Sequence, residues 1–208
     1  MCIRDRGKRI YISADYSEEQ GDRDVVNALN EIGMDDYHIV DFVDMSKVVS
    51  GSVSRDPDCR PCDLKKEFNS QINASSVVAF IVGDRTKYRT AGSSCSRAKS
   101  NQYSYTCTPY KQNTNGIKYC NKYASSNNWY NSDVDEINDY SYIRHEFEQA
   151  KEKNKQIVIL YNSTRYESNW LPSYMSEYEN CAIPFWKIDS YGRKVVNYSK
   201  LKEVLGYE

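Results

Sequence analysis

Tyr142 and Glu146, four residues apart in SYIRHEFEQAKEKNKQIVILYN (141–162), bring an aromatic ring and a carboxylate to one side of a single segment. The segment reads as a helix followed by a strand. At about 100° per residue, with Tyr142 at zero, Ile143 falls near ~100°, Phe147 near ~140° and Ala150 near ~80°. These residues define an apolar arc, and Glu146 lands inside it near ~40°. Arg144, Glu148 and Lys151 lie on the other side. His145, near ~300°, is off the arc and is expected at the surface. A carboxylate on an apolar face is costly unless it has a partner or a purpose. Glu146 either closes the end of the face and reaches water or a nearby lysine, or it belongs to a site as a negative charge held away from solvent.

Other reactive constellations are sparse. Cys59-Arg-Pro-Cys62 is a single CxxC, and Cys95, Cys107, Cys120 and Cys181 are irregularly spaced. A structural zinc site needs two spaced pairs or Cys/His partners. With His38 and His145 as the only histidines, free thiols in a reducing cytoplasm are the expectation, and no metal is expected. There is no P-loop, no GxGxxG after a strand and no Ser-His-Asp set.

The elements that must position Glu146 follow from the pattern. KRIYISADY (8–16) is a short strand with a polar exit. A helix follows, with Ser17 and Gln20 as a capping box, Val25, Val26, Leu29 and Ile32 on one face, and Gly33 at its end. YHIVDFVD (37–44) is a second strand, DLKKEFNSQINAS (63–75) a second helix, and SVVAFIVGD (76–84), the most apolar run, the central strand. After the Glu146 helix come the strand KQIVILYN (155–162), a WLP turn (170–172), the strand CAIPFWKID (181–189) and a closing helix carrying Leu201, Val204 and Leu205. Residues 87–139, rich in Ser, Asn, Tyr and Lys, are too long for an ordinary loop and read as an insertion with its own local order.

The expected architecture is an open α/β sheet of five parallel strands with helices on both faces, joined by right-handed crossovers. Residues 8–208 form one domain in this reading. Residues 1–7 are set apart, because MCIRDR reads as the translation of a transposon end used in sequencing libraries. Lysine plus arginine number 28 against 29 acidic residues, which gives no electrostatic reason for a nucleic-acid or anionic-membrane partner. No apolar run reaches the length of a membrane span. Ligands of such sheets bind at the carboxyl ends of the strands. The expected rim is Ser13–Tyr16, the loop after Asp44, Gly83–Thr86 and the start of the Glu146 helix, whose amides could help hold an anion.

In that order and spacing, RIYISADY, SSVVAFIVGDRT and SYIRHEFEQAKEKNKQIVIL resemble the first strand, central strand and W-x-x-x-E helix of Toll/interleukin-1 receptor (TIR) domains. The nearest likeness is to the bacterial group that includes the NAD-processing sensor of Thoeris anti-phage defence. The likeness covers 8–86 and 140–190, and Tyr142 stands where the family's tryptophan is usual. It implies a flavodoxin-like/TIR-like fold and cleavage of NAD⁺ at the nicotinamide–ribose bond. NAD⁺ is then a substrate, and no cofactor is implied. Glu146 would contact the ribose hydroxyls and stabilise the oxocarbenium-like transition state. Ser13, Ala14, Asp15 and Tyr16 would contact the nucleotide, Asp15 through a ribose hydroxyl unless it caps its turn, and Tyr16 by stacking unless it edges the core. Tyr142 would lie beside the substrate or pack on the sheet, and Asp84 and Arg85 would stand at the end of the central strand, Arg85 facing phosphate or solvent. The loop 45–61 would be the family's mobile loop. The resemblance also implies a cytoplasmic homo-oligomer that signals to a separate effector protein. Two other readings use the same residues: a non-catalytic TIR-like assembly module, and a nucleoside deoxyribosyltransferase-like enzyme.

Overall fold

The computed structural model describes residues 8–17, 21–34, 40–45, 60–90 and 141–207, apart from the side chains of 60–63 and 66. The capping-box Gln20, Cys59 and the Cys62 side chain of the CxxC, His38, the loop 46–59 and residues 91–139 of the insertion lie outside the described residues.

In chain order the elements are β1 (Lys8–Ser13), α1 (Arg23–Gly33), β2 (Val40–Asp44), α2 (Arg60–Ala74), β3 (Val77–Val82), α3 (Tyr142–Glu152), β4 (Gln156–Tyr161), β5 (Ile183–Pro184), β6 (Trp186–Ile188), β7 (Lys194–Val196) and α4 (Tyr198–Leu205). The first five strands form one parallel sheet in the order β2-β1-β3-β4-β5. That order is compatible with a flavodoxin-like doubly wound fold. β3 lies in the middle, and all six of its residues are buried. A strand covered on both faces has no polar side to alternate with, which is why VVAFIV reads as a continuous apolar run.

Period-two alternation sends neighbouring residues to opposite faces. Ile10, Ile12, Val77, Ala79, Ile81, Val158 and Leu160 pack with Val25, Val26, Leu29 and Ile32 of α1 and Leu201 and Leu205 of α4. Tyr11, Val78, Phe80, Val82, Ile159 and Tyr161 pack with Leu64, Phe68 and Ile72 of α2 and Ile143, Phe147 and Ala150 of α3. The helices therefore cover both faces, and α2 and α3 lie side by side on the second.

Local structure departs from the expectation in three places. Helix α1 starts at Arg23, with Asp22 rather than Ser17 at the N-cap position. The chain after β1 turns back first: the Asp22 amide donates to the Asp15 carbonyl at 2.8 Å, and the Ser17 amide to Asp15 Oδ1 at 3.0 Å. The fifth strand is also broken. Only Ile183 and Pro184 pair with β4, while Trp186–Ile188 pairs antiparallel with Lys194–Val196. Pro184 has no amide hydrogen to extend a ladder, and the hairpin that follows turns at Gly192, whose φ of 78° suits glycine. Around the WLP turn, 3₁₀ segments span Ser168–Trp170 and Ser173–Cys181. The second buries Met175 against the α2/α3 face.

Candidate active site

A cleft of about 440 Å³ opens at the carboxyl end of β1 and β2, on the α2/α3 side of the sheet. Ala14–Ser17 follow β1, Met45 follows β2, Leu64 and Phe68 come from α2, and Ser141–Ile143 and Glu146 from α3. Its size lies in the range of small-molecule sites. Ser141 caps α3 by accepting a hydrogen bond from the Arg144 amide at 2.9 Å, so the helix begins at the cleft wall. One turn later its side chains reach the interior.

Glu146 is at that depth. It is only 4 % exposed, which overturns the alternative of a carboxylate reaching water or a lysine. Its two oxygens are held from one strand. The Tyr11 hydroxyl donates to Oε1 at 2.6 Å, and the Ser13 hydroxyl donates to Oε2. Tyr11 and Ser13 are two residues apart on β1 and so share the face turned to α3. Burial pushes the Glu146 carboxyl up to about 7, against the opposing pull of the Ser13 and Tyr11 hydrogen bonds. The same burial, with Glu146 beside it, pushes the Tyr11 phenol well above its ordinary range, so Tyr11 is a neutral donor.

The mouth of the cleft carries two arginines, Arg23 and Arg89, and one carboxylate, Asp15. Arg89 Nε lies 2.5 Å from Asp15 Oδ2 and its Nη2 donates to Ser17 Oγ at 3.0 Å. Arg23 Nε donates to the Tyr16 carbonyl at 3.2 Å. The Arg89 contacts tie the loop after β1 to the chain beyond the 3₁₀ turn Thr86–Tyr88, and the Arg23 contact ties it to α1. Residues 87–90, assigned to the insertion by composition, therefore belong to the body of the fold.

Of the residues expected at a site, Ala14, Asp15, Tyr16, Tyr142 and Glu146 line the cleft. Asp15 is also the turn cap, since its Oδ1 accepts the Ser17 amide. Tyr16 edges both core clusters, and its hydroxyl donates to the Ile12 carbonyl at 3.1 Å. Tyr142 stacks edge-on against Phe68 with centroids 5.6 Å apart, which leaves the ring as a wall of the cleft. Ser13 is fully buried and is spent on Glu146 rather than on the lining. Asp84 and Arg85 are exposed turn residues and do not line the cleft. His145 is a correction: it is 7 % exposed, and its Nε2 lies 2.9 Å from Asn69 Oδ1. A helix flanked by the sheet and by α2 has two covered sides, and an arc drawn for one side misplaces it.

Sequence reasoning missed Tyr11, Arg23 and Arg89. Tyr11 carried a signal, a phenol two residues before Ser13 on the strand face that alternation also gives to Arg9, opposite the apolar Ile10 and Ile12. The arginines carried none. No family model, no curated protein and no solved structure matches this chain.

Proposed function

We propose that this chain is a TIR-like enzyme that cleaves NAD⁺ at the nicotinamide–ribose bond and makes an ADP-ribose-derived signal in bacterial anti-phage immunity of the Thoeris type. The observation that carries the reading is Glu146: a carboxylate on the wall of a ligand-sized cleft, bound by two hydroxyls, with no cationic hydrogen-bond partner among the described residues. An ionised carboxylate has about four acceptor positions. Tyr11 and Ser13 use one on each oxygen, and the others suit the two vicinal hydroxyls of a ribose.

The C1′–N bond breaks with its electron pair leaving on nicotinamide, which departs neutral and needs no strong acid. Positive charge develops at C1′ and the ring oxygen, and the fixed negative charge of Glu146 stabilises it. Water then attacks C1′ to give ADP-ribose and a proton; attack by a group of the same nucleotide gives a cyclic isomer. Burial of Glu146 strengthens this interaction by excluding water. Tyr142 and Tyr16 bound the space a ring would occupy. The reading includes a cytoplasmic homo-oligomer, with the nucleotide product acting on a separate effector.

Purified protein, assayed at high concentration and with an infection trigger supplied, is expected to release nicotinamide from NAD⁺, read by mass spectrometry of the products. Complete inertness under both conditions would sink the enzymatic reading.

Arg23 and Arg89 at the mouth suit the diphosphate. Arg23→Ala and Arg89→Ala are each expected to raise KM for NAD⁺ about tenfold, the loss of one charge-assisted hydrogen bond, with little change in kcat. Nicotinamide riboside, which has no phosphate, is expected to be turned over equally by wild type and variants. Equal losses on both substrates would remove the arginines from phosphate binding.

A further inference from the structure

We propose that Tyr11 is a positioning residue for Glu146, its hydroxyl acting with that of Ser13 to hold the carboxylate in one orientation with an acceptor position of each oxygen left for the substrate. The proposal rests on the reading of Glu146 as the catalytic carboxylate, and its test has a readout that does not.

Three observations carry it. The Tyr11 side chain is completely buried, and a buried phenol on an internal strand of a sheet needs a hydrogen-bond partner for its polar end. Its partner is Glu146 Oε1 at 2.6 Å, a distance typical of a hydroxyl bound to a carboxylate. The contact links residues 135 apart in sequence, so β1 sets where the carboxylate of α3 points. Tyr11 is not among the residues lining the cleft. It therefore acts through Glu146 and not on the ligand.

A donor to the carboxylate favours the ionised form. Burial opposes ionisation most strongly here, and the Ser13 and Tyr11 hydrogen bonds counter it. Other groups surround the pair. Tyr16 stands in the loop after β1 and Tyr174 in the Ser173–Cys181 segment, both under the influence of Glu146. Asp44 at the end of β2 acts on Tyr16, and Glu67 of α2 acts on Tyr11. Lys65 is buried on α2, His145 on α3 is bound to Asn69, and Asp15, Arg23 and Arg89 line the cleft mouth. All of these remain when only the Tyr11 hydroxyl is removed.

Tyr11→Phe deletes the donor and keeps the ring. The midpoint of the acidic limb of kcat/KM for NAD⁺ is expected to rise by about one pH unit, the equivalent of one hydrogen bond to a charged group. Activity then falls about fivefold at pH 7 and recovers towards wild type at pH 9. A role confined to folding would lower the melting temperature and leave the midpoint where it was, and that result overturns the proposal. The second readout is the ¹³C titration of Glu146 in protein labelled at the glutamate carboxyl carbon, assigned by its absence in Glu146→Gln. Its midpoint is expected near 7 in wild type and about one unit higher in Tyr11→Phe. If wild type does not act on NAD⁺, the proposed function fails while this titration still decides the role of Tyr11; coincident midpoints reject it. Should Tyr11→Phe not fold, 3-fluorotyrosine placed at position 11 keeps the hydroxyl and strengthens it as a donor. The midpoint is then expected to move down, and an unmoved midpoint counts against the proposal.

Discussion

Glu146→Gln is expected to lose nicotinamide release by about 10²–10³-fold or more in kcat, the scale seen when a group stabilising transition-state charge is removed, while the fold becomes no less stable at pH 8. The two effects have opposite signs for one reason. Glu146 is buried, and its carboxyl rises from 4.5 to about 7. Below about pH 4.5 the folded and unfolded chains both hold the proton, and burial costs nothing electrostatically. Between 4.5 and 7 the unfolded chain releases the proton while the folded chain keeps it, so stability falls as pH rises. Above 7 the cost is constant, at most about 3 kcal/mol. A glutamine of the same shape still accepts from Tyr11 and carries no charge. Denaturant melts of wild type and Glu146→Gln at pH 5 and pH 8 check this. Asp22, whose carboxyl burial also raises to about 6, is present in both proteins and cancels in the difference. The variant is expected to gain on wild type between the two pH values. A difference that does not change with pH would mean that Glu146 is not buried as a charge. Retained nicotinamide release, at any pH, would mean that it is not catalytic.

Phe147→Ala is expected to destabilise the fold by about 3–5 kcal/mol, as removal of a buried phenyl ring does when its surroundings cannot close the cavity. Phe147 is completely buried. Its ring meets Phe80 of β3 edge-on at 5.5 Å, and Tyr174 and Tyr178 of the 3₁₀ segment at 5.6 Å each. One side chain therefore joins the sheet, α3 and the segment before β5. Rings fixed by other rings relax little. A drop of this size is a large share of the stability of a domain, and the variant is expected to show a lowered midpoint in urea with an unchanged slope. Phe147→Leu, which refills most of the volume, is expected to recover more than half of the loss. A loss under about 1 kcal/mol for Phe147→Ala would show that α3 is held on the sheet by other contacts.

The contrast between neighbouring residues 146 and 147 explains how much of the site was legible beforehand. Helical periodicity places both on the covered face of α3, and that placement requires no knowledge of the fold. Hydrophobic runs likewise mark β1, β3, β4, α1 and α2, because burial on a sheet demands apolar residues at the periods of strand and helix. The continuous apolar run of β3 determines that the strand is central. What periodicity does not contain is the identity of the covering neighbour. His145 lies off the arc that faces the sheet and is nonetheless covered, because α2 closes that side and supplies Asn69.

Long-range pairing decided the rest. Tyr11 and Ser13 meet Glu146 across more than 130 residues, and Arg89 reaches Asp15 across 74. Such contacts come from strand order and register, which local spacing does not encode. The same holds for Asp84 and Arg85. They stand at the end of β3, as a rim residue should, but the chain turns there into the Thr86–Tyr88 3₁₀ turn and brings Arg89 to the cleft instead. Periodicity alone puts a carboxylate inside the apolar arc of a helix in an α/β chain, because residue spacing is a local property. The burial of that carboxylate, the hydroxyls that hold it and the arginines that line the same cleft come from the folded chain, because they are set by where the parallel strands end.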